Sequence, residues 1–166
     1  SWGKNDIGQL GRTGDNKIPT KINNFYHSNG DQINTKPNIV AISNGYKHSL
    51  FLDNDGYVYG CGRNNEGQLG LENTISTKTD AYGAKYIDIP TKITNNIGDS
   101  NIVAISAGSK FSLFLDENGN VYSCGWNPFG QLGMGEDDTT DRDIPTKITN
   151  NIGDSKIVAI SAGYYH

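Results

Sequence analysis

The residues of this chain that could do chemistry begin with its histidines. His48 and His166 occupy the same position of a repeated segment, and paired imidazoles can bind a metal or transfer protons. Phe111 holds that position in the intervening copy, which favours a packing role. The sequence contains no Gly-x-Ser-x-Gly elbow, no phosphate-binding Gly-x-x-x-x-Gly-Lys-Ser/Thr loop and no His-Glu-x-x-His zinc motif. We therefore predict no catalytic residue, no metal site and no cofactor.

Acidic segments are the second chemical feature. Residues 53–56 (Asp-Asn-Asp-Gly) and 116–119 (Asp-Glu-Asn-Gly) resemble the start of calcium loops, but a hairpin turn explains both better. Residues 136–143 form a strongly acidic run that could attract a basic partner or hold calcium loosely. The run lacks the spacing and the closing glutamate of a calcium loop, which favours a solvated loop. Asp137 and Asp138 are its candidate partner contacts.

Composition and cysteine usage restrict the functional classes. The 14 basic and 18 acidic side chains leave a net charge of -4, so nucleic-acid binding is not expected. No apolar stretch approaches the roughly 20 residues that cross a bilayer, which predicts no membrane partner. Cys61 and Cys124 share a repeat position with Trp2, and we interpret both as buried packing residues. The absence of Asn-x-Ser/Thr acceptors favours an intracellular location over secretion.

Internal repetition is the strongest signal in the sequence. Three motifs recur in an unchanged order about 60 residues apart, a period typical of repeat architectures. The motifs are Gly-Gln-Leu-Gly from Gly8, Gly67 and Gly130, Ile-Pro-Thr-Lys-Ile from Ile18, Ile89 and Ile144, and Ile-Val-Ala-Ile-Ser from Ile39, Ile102 and Ile157.

Each repeat predicts a small antiparallel sheet. In the best-defined copy we predict strands over 39–43, 49–52 and 57–60, with a hairpin turn at Gly56. The Pro-Thr-Lys-Ile segment supplies a fourth strand. Because proline cannot donate to a central ladder, we expect this strand at the sheet edge in all copies. Repeated four-stranded sheets with glycine-rich joints are typical of β-propeller blades.

The segment from Gly45 to Gly70 resembles the regulator of chromosome condensation repeat. It matches the pattern Gly-x-x-His-Ser-x-x-Leu-x-x-x-Gly-x-Val-Tyr-x-Cys-Gly-x-Asn-x-x-Gly-Gln-Leu-Gly. The resemblance implies an all-β, seven-bladed propeller, of which residues 1–166 form one partial domain with repeat joints near 1–11, 60–70 and 123–133. The chain starts and stops inside a unit, so we expect a segment of a longer chain or several copies that close one ring.

Candidate contact residues lie where the copies differ, because positions shared by all copies are explained by the fold. The divergent loops are 24–38, 71–88 and 134–143. The loop at 71–88 could equally be a tolerated insertion, and the aromatic joint at 126–129 could instead pack on the next blade. The candidate partner-binding residues are Tyr82, Tyr86, Trp126, Phe129, Asp137 and Asp138.

Three functions are compatible with these features. The first is a non-catalytic scaffold that binds an unidentified protein partner through its loops. The family resemblance implies the second, a guanine-nucleotide exchange factor for a Ran-like small GTPase that docks on chromatin, although the acidic balance weakens the chromatin part. The third is a structural protein that self-associates through its blades, or whose ring is completed by further repeats.

Overall fold

The computed structural model describes residues 1–72, 78–97, 99–149 and 156–166. In these residues every regular element is a β-strand, as the composition and turn pattern predict. The strands are β1 (Ile39–Asn44), β2 (His48–Asp53), β3 (Val58–Arg63), β4 (Lys78–Thr79), β5 (Lys85–Lys92), β6 (Ile102–Ala107), β7 (Phe111–Asp116), β8 (Val121–Gly125) and β9 (Arg142–Lys147). The described residues include no helix long and apolar enough to span a bilayer.

The strands form two antiparallel sheets. The first has the order β1-β2-β3-β5-β4, and the second has the order β6-β7-β8-β9. The predicted edge position of the Pro-Thr-Lys-Ile strand is correct for β9. It is wrong for β5, because the short strand β4 pairs with its first residues and Tyr26 lies beside Pro90. There the Tyr26 amide donates to the Pro90 carbonyl at 2.9 Å. Because this contact uses the carbonyl of Pro90, it does not require the N–H that proline lacks.

An aspartate organises the hairpin turn between β2 and β3 and the one between β7 and β8. In the first sheet, Asp53 Oδ1 accepts the amides of Asp55 at 3.1 Å and Tyr57 at 2.8 Å, while the Tyr59 hydroxyl donates to Oδ2 at 2.9 Å. Gly56 follows at a φ of +80°, which a glycine adopts without strain. Asp116 takes the same role in the second sheet. The acidic segments at 53–56 and 116–119 are therefore hairpin turns, as predicted.

The Gly-x-Asn-x-x-Gly-Gln-Leu-Gly joint is held by two side-chain amides. The asparagine Oδ1 accepts the leucine amide five residues later, at 2.9 Å in each of the three joints. The glutamine Oε1 accepts the amide two residues before it, at 3.0 to 3.1 Å. Both bonds satisfy backbone donors that the sheet ladders leave free. The residues are Asn5, Asn64 and Asn127, with Gln9, Gln68 and Gln131.

The joints also connect neighbouring blades. The carbonyl of Gln68 accepts the Ser112 hydroxyl at 2.6 Å and lies 3.6 Å from the Cys124 thiol. Ser49 and Cys61 make the same contacts with the Gln9 carbonyl one blade earlier. Burial raises the pKa of both thiols, which keeps them protonated donors. The two cysteines are buried packing residues, as the sequence predicts.

Replacing Asn127 with alanine should lower the free energy of unfolding by about 2 kcal/mol. The side chain is fully buried, and its loss leaves the buried Leu132 amide without its acceptor. Urea denaturation measures the change. Asn118→Ala is the control, because the Asn118 side chain is exposed in a hairpin turn, and it should change stability by less than about 0.5 kcal/mol. Equal losses in the two variants would contradict this role of the joint.

Candidate functional site

Three charged side chains meet where the first sheet contacts the second. In the joint after β3, the Arg63 Nη2 lies 3.0 Å from Glu66 Oε1. Lys110 reaches the same oxygen at 3.5 Å from the turn between β6 and β7. This ion triad therefore connects a joint of one blade to a turn of the next.

At the following blade boundary, the same three repeat positions are aromatic. Trp126, Phe129 and Tyr165 replace Arg63, Glu66 and Lys110, in that order. The centroid distances are 5.3 Å between Trp126 and Phe129, 5.5 Å between Trp126 and Tyr165, and 5.4 Å between Phe129 and Tyr165. The Lys110 ammonium lies 4.9 Å from the Trp126 ring centroid and so joins the two triads.

Two further tyrosines extend the aromatic contacts across the turns. The Tyr164 ring is 4.4 Å from Tyr165 and 6.5 Å from Tyr46. Ser109 is the equivalent residue of the blade between them. Its backbone carbonyl accepts the Tyr46 amide, and its backbone amide donates to the Tyr164 carbonyl. An open depression of about 240 Å³ lies over these turns. We call the five side chains Tyr46, Trp126, Phe129, Tyr164 and Tyr165 the aromatic surface.

Four of the five side chains of the aromatic surface are exposed in residues 1–166, and Trp126 is half-buried. Tyr46 is 64% exposed although repeats lie on both sides of it. Phe129 contacts Tyr165 of the following repeat, which agrees with packing on the next blade.

The acidic loop lies beside this surface. The Asn127 amide donates to Asp141 Oδ1 at 2.7 Å, and Asn127 Nδ2 donates to the Asp138 carbonyl at 2.7 Å. Asp138 also forms an ion pair with Arg142. The Thr140 amide first, and Arg142 second, lower the pKa of Asp138 from its ordinary value. Asp137 is exposed.

The other two candidate contacts lie on the neighbouring blade. Tyr82 is 97% exposed at the tip of the loop before β5. Tyr86 is half-buried within β5, opposite Arg63 of β3 and Lys78 of β4. Neither ring stacks on an aromatic ring among the described residues. The structure therefore brings Trp126, Phe129 and Asp138 together but leaves Tyr82 and Tyr86 at a separate loop.

Comparison with known families decides the class of this protein. The regulator of chromosome condensation (RCC1) repeat matches residues 1–52, 55–115 and 118–166. A second description of the same repeat matches residues 39–68 and 102–131. The chain belongs to the RCC1 repeat family. The two sheets, one of five strands and one of four, are accordingly propeller blades, as the sequence predicts.

This RCC1-repeat chain is similar in sequence to proteins described with different functions. It is 32% identical to the ultraviolet-B receptor UVR8 of Arabidopsis thaliana over 168 residues, covering 100% of the chain and 33% of the relative. It is 32% identical to the guanine nucleotide exchange factor SRM1 of Saccharomyces cerevisiae over 172 residues, covering 98% and 33%. The chain thus spans about a third of the length of these two relatives.

A solved structure shows the same architecture. The crystal structure of Prp20p from Saccharomyces cerevisiae, described with its binding properties to Gsp1p and histones, superposes with a TM-score of 0.77 at 30% identity. The match covers 98% of this chain and 37% of Prp20p. The RCC1-repeat fold is therefore shared along nearly the whole chain.

The two histidines that share a repeat position lie in different environments in this RCC1-repeat chain. His48 is buried between the two sheets, and its Nε2 lies 3.1 Å from the Ser112 hydroxyl. Burial lowers the pKa of His48 to about 4, so its imidazole is neutral near pH 7. His166 is exposed at the equivalent position of another repeat. No group of three or more potential metal ligands occurs among the residues that the structure describes.

Sequence reasoning missed three members of the aromatic surface, Tyr46, Tyr164 and Tyr165. The signal was present, because copies differ at these positions: Tyr46 and Tyr164 align with Ser109, and Tyr165 aligns with two lysines. These positions lie in short turns, whereas the predicted contacts lie in the divergent loops and in the joint at 126–129. A comparison of repeats at every turn position would have found them.

Proposed function

We propose that this protein is an RCC1-repeat scaffold that binds a protein partner through the aromatic surface. One observation carries the proposal. Five aromatic side chains from three repeats contact one another in one continuous series, and at the preceding blade boundary three of these positions hold an ion triad. In this proposal the protein contributes binding and no chemistry of its own.

The repeat comparison separates folding from binding at this surface. Arg63, Glu66 and Lys110 fill the same positions at the preceding boundary, so the fold accommodates charged side chains there as well as aromatic ones. Exposed aromatic rings are costly to hydrate and are enriched among the residues that dominate the energy of protein interfaces. A partner that covers them supplies the compensating burial.

The remaining candidate residues fit the edge of such an interface. Asp137 and Asp138 lie in the loop that is bonded to the joint at Asn127. Tyr82 stands on the adjacent blade at the same end of the sheets, and Tyr86 supports its loop from β5. Polar and isolated aromatic groups at an interface edge contribute less binding energy than the central cluster.

Site-specific photocrosslinking tests the proposal. With p-benzoylphenylalanine in place of Phe129, we expect a discrete adduct to one protein partner in cells of the native source. The matched control places the same group at Asn118, which is exposed at the opposite end of the same sheet, and should give no such adduct. Equal labelling at both positions would count against a specific surface. An adduct to a second copy of this chain would favour the structural-assembly function.

A second candidate function is guanine-nucleotide exchange on a Ran-like small GTPase, with docking on chromatin. It is supported by the similarity to SRM1 and by the likeness to Prp20p. Addition of the protein to the GTPase loaded with a fluorescent nucleotide distinguishes the two functions. Accelerated nucleotide release favours exchange, whereas an unchanged release rate together with crosslinking at Phe129 favours the scaffold.

A further inference from the structure

We propose that the depression between Tyr46 and Tyr164 binds a proline of a polyproline II segment in the partner polypeptide. The inference rests on the proposed function and names the class of peptide that this part of the aromatic surface takes. The site is built by the turns at 44–46, 107–109 and 162–164, which belong to three consecutive repeats.

A small residue in the middle repeat leaves room for the depression. Tyr46, Ser109 and Tyr164 share one repeat position, and the two tyrosine rings approach each other across the serine with their centroids 6.5 Å apart. The depression has a volume of about 240 Å³. Pockets for a whole drug-sized ligand begin at about 300 Å³, so this volume suits one small side chain of a longer segment.

The depression lies within the chain's own row of repeats. Tyr46 and Ser109 each have a repeat on both sides, and Tyr164 closes the depression through the ring that contacts Tyr46. Glycine and alanine supply most of the remaining lining, among them Ala107 and Gly108. Such small residues allow a ligand backbone to approach closely. Grooves lined by aromatic rings are the sites that recognise proline-rich segments.

The hydrogen-bonding groups of the turns favour a segment without backbone N–H groups. The Ser109 carbonyl accepts the Tyr46 amide at 3.2 Å, and the Tyr164 carbonyl accepts the Ser109 amide at 3.4 Å. These two acceptors are therefore already used between the turns. The exposed side chains of Asn44 and Tyr46 carry an amide and a hydroxyl that can donate. A polyproline II segment offers carbonyls without internal hydrogen bonds, and its prolines have no N–H that requires an acceptor.

Charge selects against acidic and basic ligands at this site. Among the described residues, those that line the depression include no aspartate, glutamate, lysine or arginine. Lys47 and Lys110 follow two of the turns, but their ammonium groups lie 3.9 Å from Asp6 and 3.5 Å from Glu66. A charged side chain would lose hydration in the depression without gaining an ion pair, whereas proline carries no charge.

Fluorescence anisotropy with defined peptides tests the inference. The probes are two fluorescein-labelled peptides of equal length, one of prolines alone and one of alternating glycine and serine, each titrated with the protein. We expect the proline peptide to bind roughly tenfold more tightly, because it is already extended and packs on the tyrosine rings. Since the depression is uncharged, raising the salt concentration should leave this affinity unchanged.

Ser109→Tyr is the variant that blocks the depression. The repeats on either side carry tyrosine at this position, so the turn accommodates the larger side chain, whose ring should fill the space. We expect it to weaken binding of the proline peptide by roughly tenfold. Tyr46→Ser, which introduces the residue of the middle repeat, removes one aromatic ring and should weaken binding by roughly fivefold.

Tyr82→Ala is the control for both variants. Tyr82 is 97% exposed on a separate loop, so its loss should leave the affinity for the proline peptide unchanged. Circular dichroism of each variant establishes that its fold is retained.

Equal affinity for the two peptides, or affinity that Ser109→Tyr leaves unchanged, would overturn the inference. Absence of proline-peptide binding, or a steep loss of affinity with salt, would do the same. None of these results affects the photocrosslinking at Phe129. An adduct at Phe129 without proline selectivity would show that the scaffold function stands and the class of ligand is wrong.

Discussion

Replacing Phe114 with alanine is expected to lower the free energy of unfolding by about 4 kcal/mol. Phe114 is fully buried in β7 and belongs to the same hydrophobic cluster as Leu50 of the first sheet and Leu69 of the joint after β3. Its ring therefore fills the space between two blades, and truncation leaves a cavity that the surrounding strands cannot close. A typical domain has about 5 to 15 kcal/mol of stability, so this loss is a large fraction of the total.

Urea denaturation of Phe114→Ala and Phe129→Ala measures how the same change, phenylalanine to alanine, affects the free energy of unfolding at a buried site and at an exposed site. Phe129 is 67% exposed, so its loss should cost less than about 1 kcal/mol. The two variants should separate stability from binding, because only Phe129 belongs to the aromatic surface. Similar losses of stability at both positions would show that Phe129 is a structural residue of the blade boundary, which contradicts its assignment to binding.

The second large effect is a loss of stability at mildly acidic pH that depends on His48. Burial lowers the His48 pKa from 6.5 in the unfolded chain to about 4 in the folded protein. Between these values the unfolded chain binds a proton that the folded protein does not. The contribution of neutral His48 to the free energy of unfolding is therefore fully present above pH 6.5 and is lost as the pH drops towards 4. The expected loss is about 2 kcal/mol at pH 5.

His48→Phe should remove this part of the pH dependence. Phe111 occupies the equivalent position and is fully buried over Gly108, just as His48 lies over Gly45, so a phenyl ring fits the site. Ser112 keeps its hydrogen bond to the Gln68 carbonyl in the variant. Urea denaturation of both proteins at pH 7.5 and pH 5 measures the difference. An unchanged pH dependence in His48→Phe would show that His48 is not the titrating group.

Much of the fold could be predicted because its decisive contacts are local in sequence. The Asp53 carboxylate reaches amides two and four residues ahead, and the Asn64 side chain reaches an amide five residues ahead. Contacts of this range depend on residue type and spacing alone. The repeats, strands, hairpin turns, joints and buried cysteines follow from them. The prediction of an edge position for the Pro90 strand was wrong, because this strand also contacts Tyr26, which lies 64 residues earlier.

The candidate site divides in the same way. Trp126 and Phe129 were identifiable from the sequence because they depart from the other copies within one joint. Only the tertiary structure decided that Tyr165 completes their triad and that Tyr46 reaches Tyr164 across a whole blade. It also decided the neutral state of His48, since burial between sheets sets its pKa. Contacts between blades join residues far apart in the chain, and a repeat pattern specifies each blade without specifying which side chains meet at its boundary.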